Sequence, residues 1–297
     1  MPKAYSVVNP KRFDEKSNLQ YLCASGVTFL FLVSLNKYLR SSKWFEENSL
    51  KEPNLLDYLD LVSLGTVCDV VPLIGLNRAM VKQGLKVMKF KKNLGLKTLF
   101  DICNIDTSPS IYHLGYLLGP RINAGGRVGK CSHGANLLLK DNPKEVFQLA
   151  TELDEFNKER KFLEKELTEK IFLSISDIDN DPVLILHGNN WHEGVIGIVA
   201  SRLKDKYHKP TIVISMNGNE GKASARSIVG FDIGSIIIAA TQKKILLKGG
   251  GHKMAGGFTI HKNKIQEFKD FVINKFKKKS IELTKKKALN IDSIIAP

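Results

Sequence analysis

Apolar positions fall into two patterns along the chain. From Leu19 to about Leu173 they recur at three- and four-residue intervals, whereas after Pro182 short alternating or continuous apolar runs alternate with helical ones. The first pattern predicts helices over Leu19–Leu39, Asn54 to about Gly65, Leu76–Met88 and Leu94–Cys103. Asn54 caps the second of these, with Leu55, Leu56, Leu59 and Val62 on one face and Asp57 and Asp60 on the solvated one. YHLGYLLGPRINAGGR then carries a helix into a glycine-rich loop.

From Pro143 to about Leu173, Val146, Leu149, Leu153, Phe156, Leu163, Leu167 and Ile171 recur at three, four or seven residues with charges between them. About 30 residues at 1.5 Å rise span roughly 45 Å, a length that suits a connector between domains. The polar cluster SDIDNDP closes it. Strand PVLIL, helix GVIGIVASRLKDKY, strands PTIVIS and KASARS, a helix from Asp232 and a glycine cluster follow. Strands alternating with helices give an α/β fold class. At the start, AYSVVN reads as a short strand ended by Pro10. A strand with no partner leaves backbone groups unpaired, so the opening reads as the middle of a domain.

Composition narrows the class. With 43% hydrophobic and 25% charged residues the chain reads as globular, and the longest apolar run, roughly Val27–Leu35, is short of the ~20 residues that cross a bilayer. MPKAYSVVNPKRF lacks the apolar stretch of a signal peptide, so a cytoplasmic protein without a membrane partner is expected. Cys23, Cys68, Cys103 and Cys131 form no CxxC pair, which points away from zinc knuckles and disulfide frameworks. Residues 201–297 hold 20 Lys and Arg against 7 Asp and Glu, so 13 of the 15 excess positive charges lie in the last third. Such asymmetry fits a polyanionic partner, and KFKKKSIELTKKK also fits a solvated lysine-rich face.

Five stretches carry candidate chemistry. In GTVCDVVPL a lone acid, Asp69, stands among small and apolar residues; it fits a helix-end turn, and it fits a metal ligand only if other ligands converge on it. GPRINAGGRVGK sets Arg121 and Arg127 around Asn123, Gly125 and Gly126, as in a phosphate-binding loop or a flexible turn with surface arginines. In WHEGVIGIVASRL, His192 and Glu193 precede a helix whose first N–H groups suit an anion or a helix cap. KASARS aligns Ser224 and Arg226 on one face of a strand, with Ser227 following. In KGGGHKMAGG, glycines 249 to 251 suit a tight bend or close ligand approach, with His252 projecting from it.

Taken in order, SVVNP, DLVSLGTVCDVVPL, LGPRINAGGR, WHEGVIGIVASRL, KASARS and GGGHKMAGG resemble the RecJ family of 5′ to 3′ single-stranded-DNA exonucleases, in the DHH phosphoesterase superfamily, from about residue 5 to about 275. The resemblance implies metal-dependent phosphodiester hydrolysis with two Mn²⁺ or Mg²⁺ ions, in DNA repair and recombination. It also implies the C-terminal part of a DHH domain (1–140), a connector helix (141–178), a DHH-associated nucleic-acid-binding α/β domain (179–280) and the start of a further segment (281–297). Asp69 matches a catalytic metal ligand. Arg121, Asn123 and Arg127 match the GPRINAAGR motif, with Gly125 replacing an alanine, and Ser224, Arg226, Ser227, Gly250, Gly251 and His252 match substrate-binding segments. The family's other metal ligands, an Asp-x-Asp pair, a further Asp and the paired histidines, lie upstream of the segment matched by AYSVVNP. The chain is therefore expected to be a portion that is inactive alone, with single-stranded DNA as partner and the missing ligands on a separate polypeptide. A nucleic-acid-binding remnant, or an enzyme for oligonucleotides or cyclic dinucleotides, are the alternatives.

Overall fold

The computed structural model describes residues 3–174 and 181–283, without the side chains of 174 and 279–283. It divides into two compact units, Met1–Asn157 and Lys158–Pro297. The cluster SDIDNDP up to residue 180, and the tail from 284, fall outside the described residues.

The first unit is helical: α1 (Ala24–Ser41), α2 (Trp44–Glu47), α3 (Leu59–Cys68), α4 (Gly75–Met88), α5 (Leu94–Ile102), α6 (Gly119–Val128) and α7 (Ser132–Leu139), followed by the first half of α8 (Pro143–Ser174). The side chain of Asn54 accepts from the Leu56 N–H and starts a 3₁₀ turn, Leu55–Tyr58, that leads into α3. One core joins α1, α3 and α4 through Leu22, Phe29, Leu59, Val62 and Met80. A second joins α5, α7 and α8 through Leu96, Leu99, Leu137, Val146 and Leu153.

Three expectations differ here. AYSVVN forms no strand: no neighbouring strand pairs with it among the described residues, and Tyr5 and Val8 are exposed. GPRINAGGR is helix rather than loop, because a π-helical turn over His113–Leu118 runs directly into α6. Its glycines serve close packing: a Cβ on Gly119 would stand 2.4 Å from Cys68 Sγ, and one on Gly125 3.0 Å from the Lys130 carbonyl. Asp60 is buried rather than solvated, and burial raises its carboxyl above the usual range even though the Leu61 N–H donates to it at 2.7 Å.

In the second unit β1 (Leu184–Asn189), α9 (Glu193–Tyr207), β2 (Thr211–Asn217), β3 (Glu220–Arg226), α10 (Ile233–Gln242), β4 (Lys248–His252), β5 (Ala255–His261) and α11 (Ile265–Leu283) build one five-stranded sheet in the order β1-β2-β3-β5-β4. β1 and β2 are parallel, joined by α9 as a βαβ crossover, and the remaining pairs are antiparallel. Alternation divides the side chains between two faces. Ile212, Ile214, Ala223, Ala225, Phe258 and Ile260 pack with Phe231, which precedes α10, with Ile237 of α10 and with Phe268 of α11. On the other face Val213 and Leu186 pack with Val195, Val199 and Leu203 of α9 and with Leu167 and Ile171 of α8.

Candidate nucleic-acid interface

The α9 face of the sheet is covered over β1 and β2 and differs in character over β3, β5 and β4. Strand register fixes what lies there. Arg226 pairs with Ala255 and Ala255 with His252; Ser224 pairs with Gly257 and Gly257 with Gly250; Lys222 pairs with Thr259 and Thr259 with Lys248. Directly paired residues, and residues two apart, share a face, so these nine positions form one strip. It is about 13 Å long and about 10 Å across at ordinary strand dimensions. Polar or cationic side chains stand at both ends and the middle row is nearly bare. A Cβ on Gly250 would meet nothing within 4 Å, and one on Gly257 only the Ala223 carbonyl at 3.4 Å.

The neighbouring glycines point the other way and do a different job. A Cβ on Gly251 would lie 2.5 Å from the Ala255 carbonyl oxygen, and one on Gly234 of α10 would lie 2.8 Å from the Gly251 carbonyl carbon. Close approach of α10 to β4 therefore requires Gly234 and the tight pairing of β4 with β5 requires Gly251, whereas Gly250 and Gly257 keep the opposite side clear. The glycine run is strand throughout, and its bend falls at Lys253–Met254, where His252 and Ala255 close a two-residue turn.

At one edge of the strip Arg226 Nη1 donates to Ser224 Oγ at 3.1 Å and to the Ala225 carbonyl at 2.8 Å, which fixes the guanidinium along the strand. A Cβ on Gly197 of α9 would stand 2.9 Å from Ser224 Oγ, so the helix passes close beside the pair. At the other end Lys222 Nζ lies 2.8 Å from Glu193 Oε2, an exposed ion pair. His192 occupies the N-cap of α9 and its Nδ1 accepts the Gly194 N–H at 3.1 Å. The cap thus takes up a donor that the anion reading of this helix end required.

Not every expected residue reaches the strip. Ser227 is buried: its Oγ donates to the Phe231 carbonyl at 2.5 Å and its N–H to the Met254 carbonyl at 2.9 Å, which tie the end of β3 to the β4–β5 turn. Gly251 faces α10. In the first unit Arg121 is largely buried, its Nε 2.8 Å from Asp154 Oδ1 and its Nη1 donating to the Leu117 carbonyl. Asn123 and Arg127 are exposed on α6. Asp69 is an exposed residue capping the C-terminus of α3, its N–H bonded to the Gly65 carbonyl. Beside it, burial pushes the Cys68 thiol up to about 11. Lys222, Lys248, Gly257 and Thr259 were missed in the sequence, although extending the period-two alternation of KASARS and KGGGH by one step places both lysines on the face of Ser224 and His252.

Among the described residues Asp69 lacks the partners a metal site needs. Hard divalent ions take several oxygen or imidazole ligands, and among the described residues no group of three or more His, Cys, Asp and Glu gathers closely enough to hold one. A lone acid at a helix C-cap does not fit a two-ion centre.

Residues 180–278, which hold this mixed sheet and its glycine-cleared strip, fit the family model described as the DHHA1 domain. Over nine tenths of its length the chain is similar to RecJ exonucleases. It is 37% identical over 280 residues to the single-stranded-DNA-specific exonuclease RecJ of Escherichia coli, covering 90% of this chain and 48% of that protein. To RecJ of Salmonella typhimurium it is 36% identical over 278 residues, with the same coverage. Among solved structures, RecJ from Thermus thermophilus in complex with Mg²⁺ superposes with a TM-score of 0.72 at 32% identity, covering 85% of this chain and 38% of that one. An exonuclease RecJ bound to manganese gives 0.71 at 30%, covering 88% and 63%. The chain spans about half the length of the curated relatives it matches. No helix among the described residues is long and apolar enough to cross a membrane.

Proposed function

We propose that this chain is part of a RecJ-type 5′ to 3′ single-stranded-DNA exonuclease of DNA repair and recombination, and that it supplies the surface holding the strand. The glycine-cleared strip carries this reading. Sugar-phosphate backbone can lie against Gly250 and Gly257 without meeting a side chain, while Arg226, Ser224, Lys222, Lys248 and His252 offer donors at the edges. Arg provides a planar fork for phosphate and Lys a point charge, contacts that position a strand without reading its sequence. The low acid content of residues 201–297 reinforces the same preference.

Residues up to about 140 are read as part of a DHH domain and residues 179–280 as the DHH-associated domain. Phosphodiester hydrolysis by two Mn²⁺ or Mg²⁺ ions requires a ligand set that holds both against their hydration shells. Asp69 alone does not meet that requirement, so no catalytic step is assigned to these residues, and the remaining ligands are proposed to lie outside them, on a further segment or a separate polypeptide. Two assays on the 297-residue chain test this: binding of a single-stranded oligonucleotide, and Mn²⁺-dependent release of nucleotides from it. Binding without cleavage is expected. Absence of binding, or robust cleavage abolished by Asp69→Ala, contradicts the proposal.

A further inference from the structure

The π-helical turn in the first unit carries a feature that the strip does not use. Tyr112 and Tyr116 stack on each other there, ring centroids 5.3 Å apart and planes 24° from parallel, yet they are 59% and 71% exposed. Side chains on the opposite side of the same run, Leu114 and Leu118, are fully buried. A π turn widens the helix by one residue, and such turns occur often at functional sites. Here the Gly115 side of the turn rests against Val67 at the end of α3, and the tyrosines stand outward on the other. The exposed side continues along α6 through Asn123 and Arg127.

An i,i+4 aromatic pair contributes a few tenths of a kcal/mol to a helix. That is a weak reason to keep two large rings in water. The sequence segment that carries them is one-signed: from Thr107 to Lys140 it holds Arg121, Arg127, Lys130 and Lys140 and no Asp or Glu. Arg121 pairs with Asp154 and Lys140 with Glu145, and Arg127 lies at an exposed position of α6, which continues from the turn. Exposed aromatic faces within an acid-free basic segment suit unpaired bases, which stack on such rings regardless of sequence while the chain's cations meet the phosphates. An apolar protein partner would use the rings without the charge.

We propose that the stacked Tyr112–Tyr116 pair is a platform on which unpaired nucleobases of single-stranded nucleic acid stack. It deepens the proposed function and rests on the reading that this chain binds single strands. The test uses the full 297-residue chain, fluorescein-labelled oligothymidylate and an abasic oligomer of equal length. The double variant Tyr112→Ala, Tyr116→Ala binds oligothymidylate about tenfold more weakly than the unaltered chain. It keeps the same slope of log Kd against log salt, because no phosphate contact is lost, and it binds the abasic oligomer as the unaltered chain does. Phe at both positions restores affinity for oligothymidylate, and an oligonucleotide carrying 5-iododeoxyuridine photocrosslinks at Tyr112 or Tyr116. Equal affinity of the double Ala variant for oligothymidylate, equal weakening for both oligomers, or crosslinks confined to other residues overturns the platform. If the unaltered chain binds neither oligomer, the proposed function itself fails, a result distinct from binding that ignores the tyrosines.

Discussion

Alternate glycines of one strand have opposite duties, and they respond to substitution in opposite ways. Gly250→Leu points a side chain into open space, so the fold tolerates it while the strip is obstructed; thermal melting stays within a few degrees of the unaltered chain and single-strand affinity drops. Gly251→Ala drives a Cβ to 2.5 Å from the Ala255 carbonyl and forces backbone to move, so its melting temperature falls. Melting curves alongside oligonucleotide titrations separate the two, and a reversed pattern contradicts the assignment of faces. Cys68 gives a pH-dependent counterpart. Its thiol rises from 9.0 to about 11 through burial, so the folded state holds the proton more tightly than the unfolded one. That contribution is complete below about pH 9 and is lost as pH rises to about 11, a loss on the order of 2 kcal/mol. The melting temperature therefore falls more steeply across this window in the unaltered chain than in Cys68→Ala, and parallel curves exclude the effect.

Helices were the most legible elements. Periodicity located α4, α5, α8 and α9 to within one or two residues, because a half-buried helix repeats its apolar positions regardless of what it packs against. Two local readings failed for opposite physical reasons. GPRINAGGR looked like a loop because glycine is a poor helix former, but its glycines admit Cys68 Sγ and the Lys130 carbonyl at distances a Cβ forbids, so tertiary packing overrode propensity. AYSVVN has strand composition, yet a strand exists only through a neighbour's hydrogen bonds. Within the site, alternation revealed Ser224 and Arg226, whereas the pairing of β3 with β5 and β5 with β4 that assembles the strip is long-range and invisible in any single motif. Not every charge between the apolar positions of α8 reaches solvent: Glu164 is buried, with Arg160 Nη1 2.7 Å from its Oε2 and Arg202 Nε 2.5 Å from its Oε1. Removing one partner of a buried charge is costly, so Arg160→Met is expected to destabilise the second unit by about 3 kcal/mol in urea denaturation. A loss below about 1 kcal/mol would mean the remaining contacts and water satisfy Glu164 without it.

At the scale of the whole molecule, the chain divides its chemistry unevenly. Residues 201–297 carry most of the excess positive charge and include the strip, while in the first unit Asp69 stands at a helix C-cap and no three His, Cys, Asp or Glu among the described residues gather to hold an ion. On the proposed function, grip on a polyanion is built into this chain and independent of divalent ions, whereas cutting would depend on ligands that the described residues do not gather. The most direct measurement is an oligonucleotide titration of the 297-residue chain in EDTA at several salt concentrations, repeated with Arg226→Ala. Metal-free binding that weakens steeply with salt, with a slope smaller by about one in the variant, is the predicted result. Binding that ignores salt, or that appears only when Mn²⁺ is supplied, would contradict it.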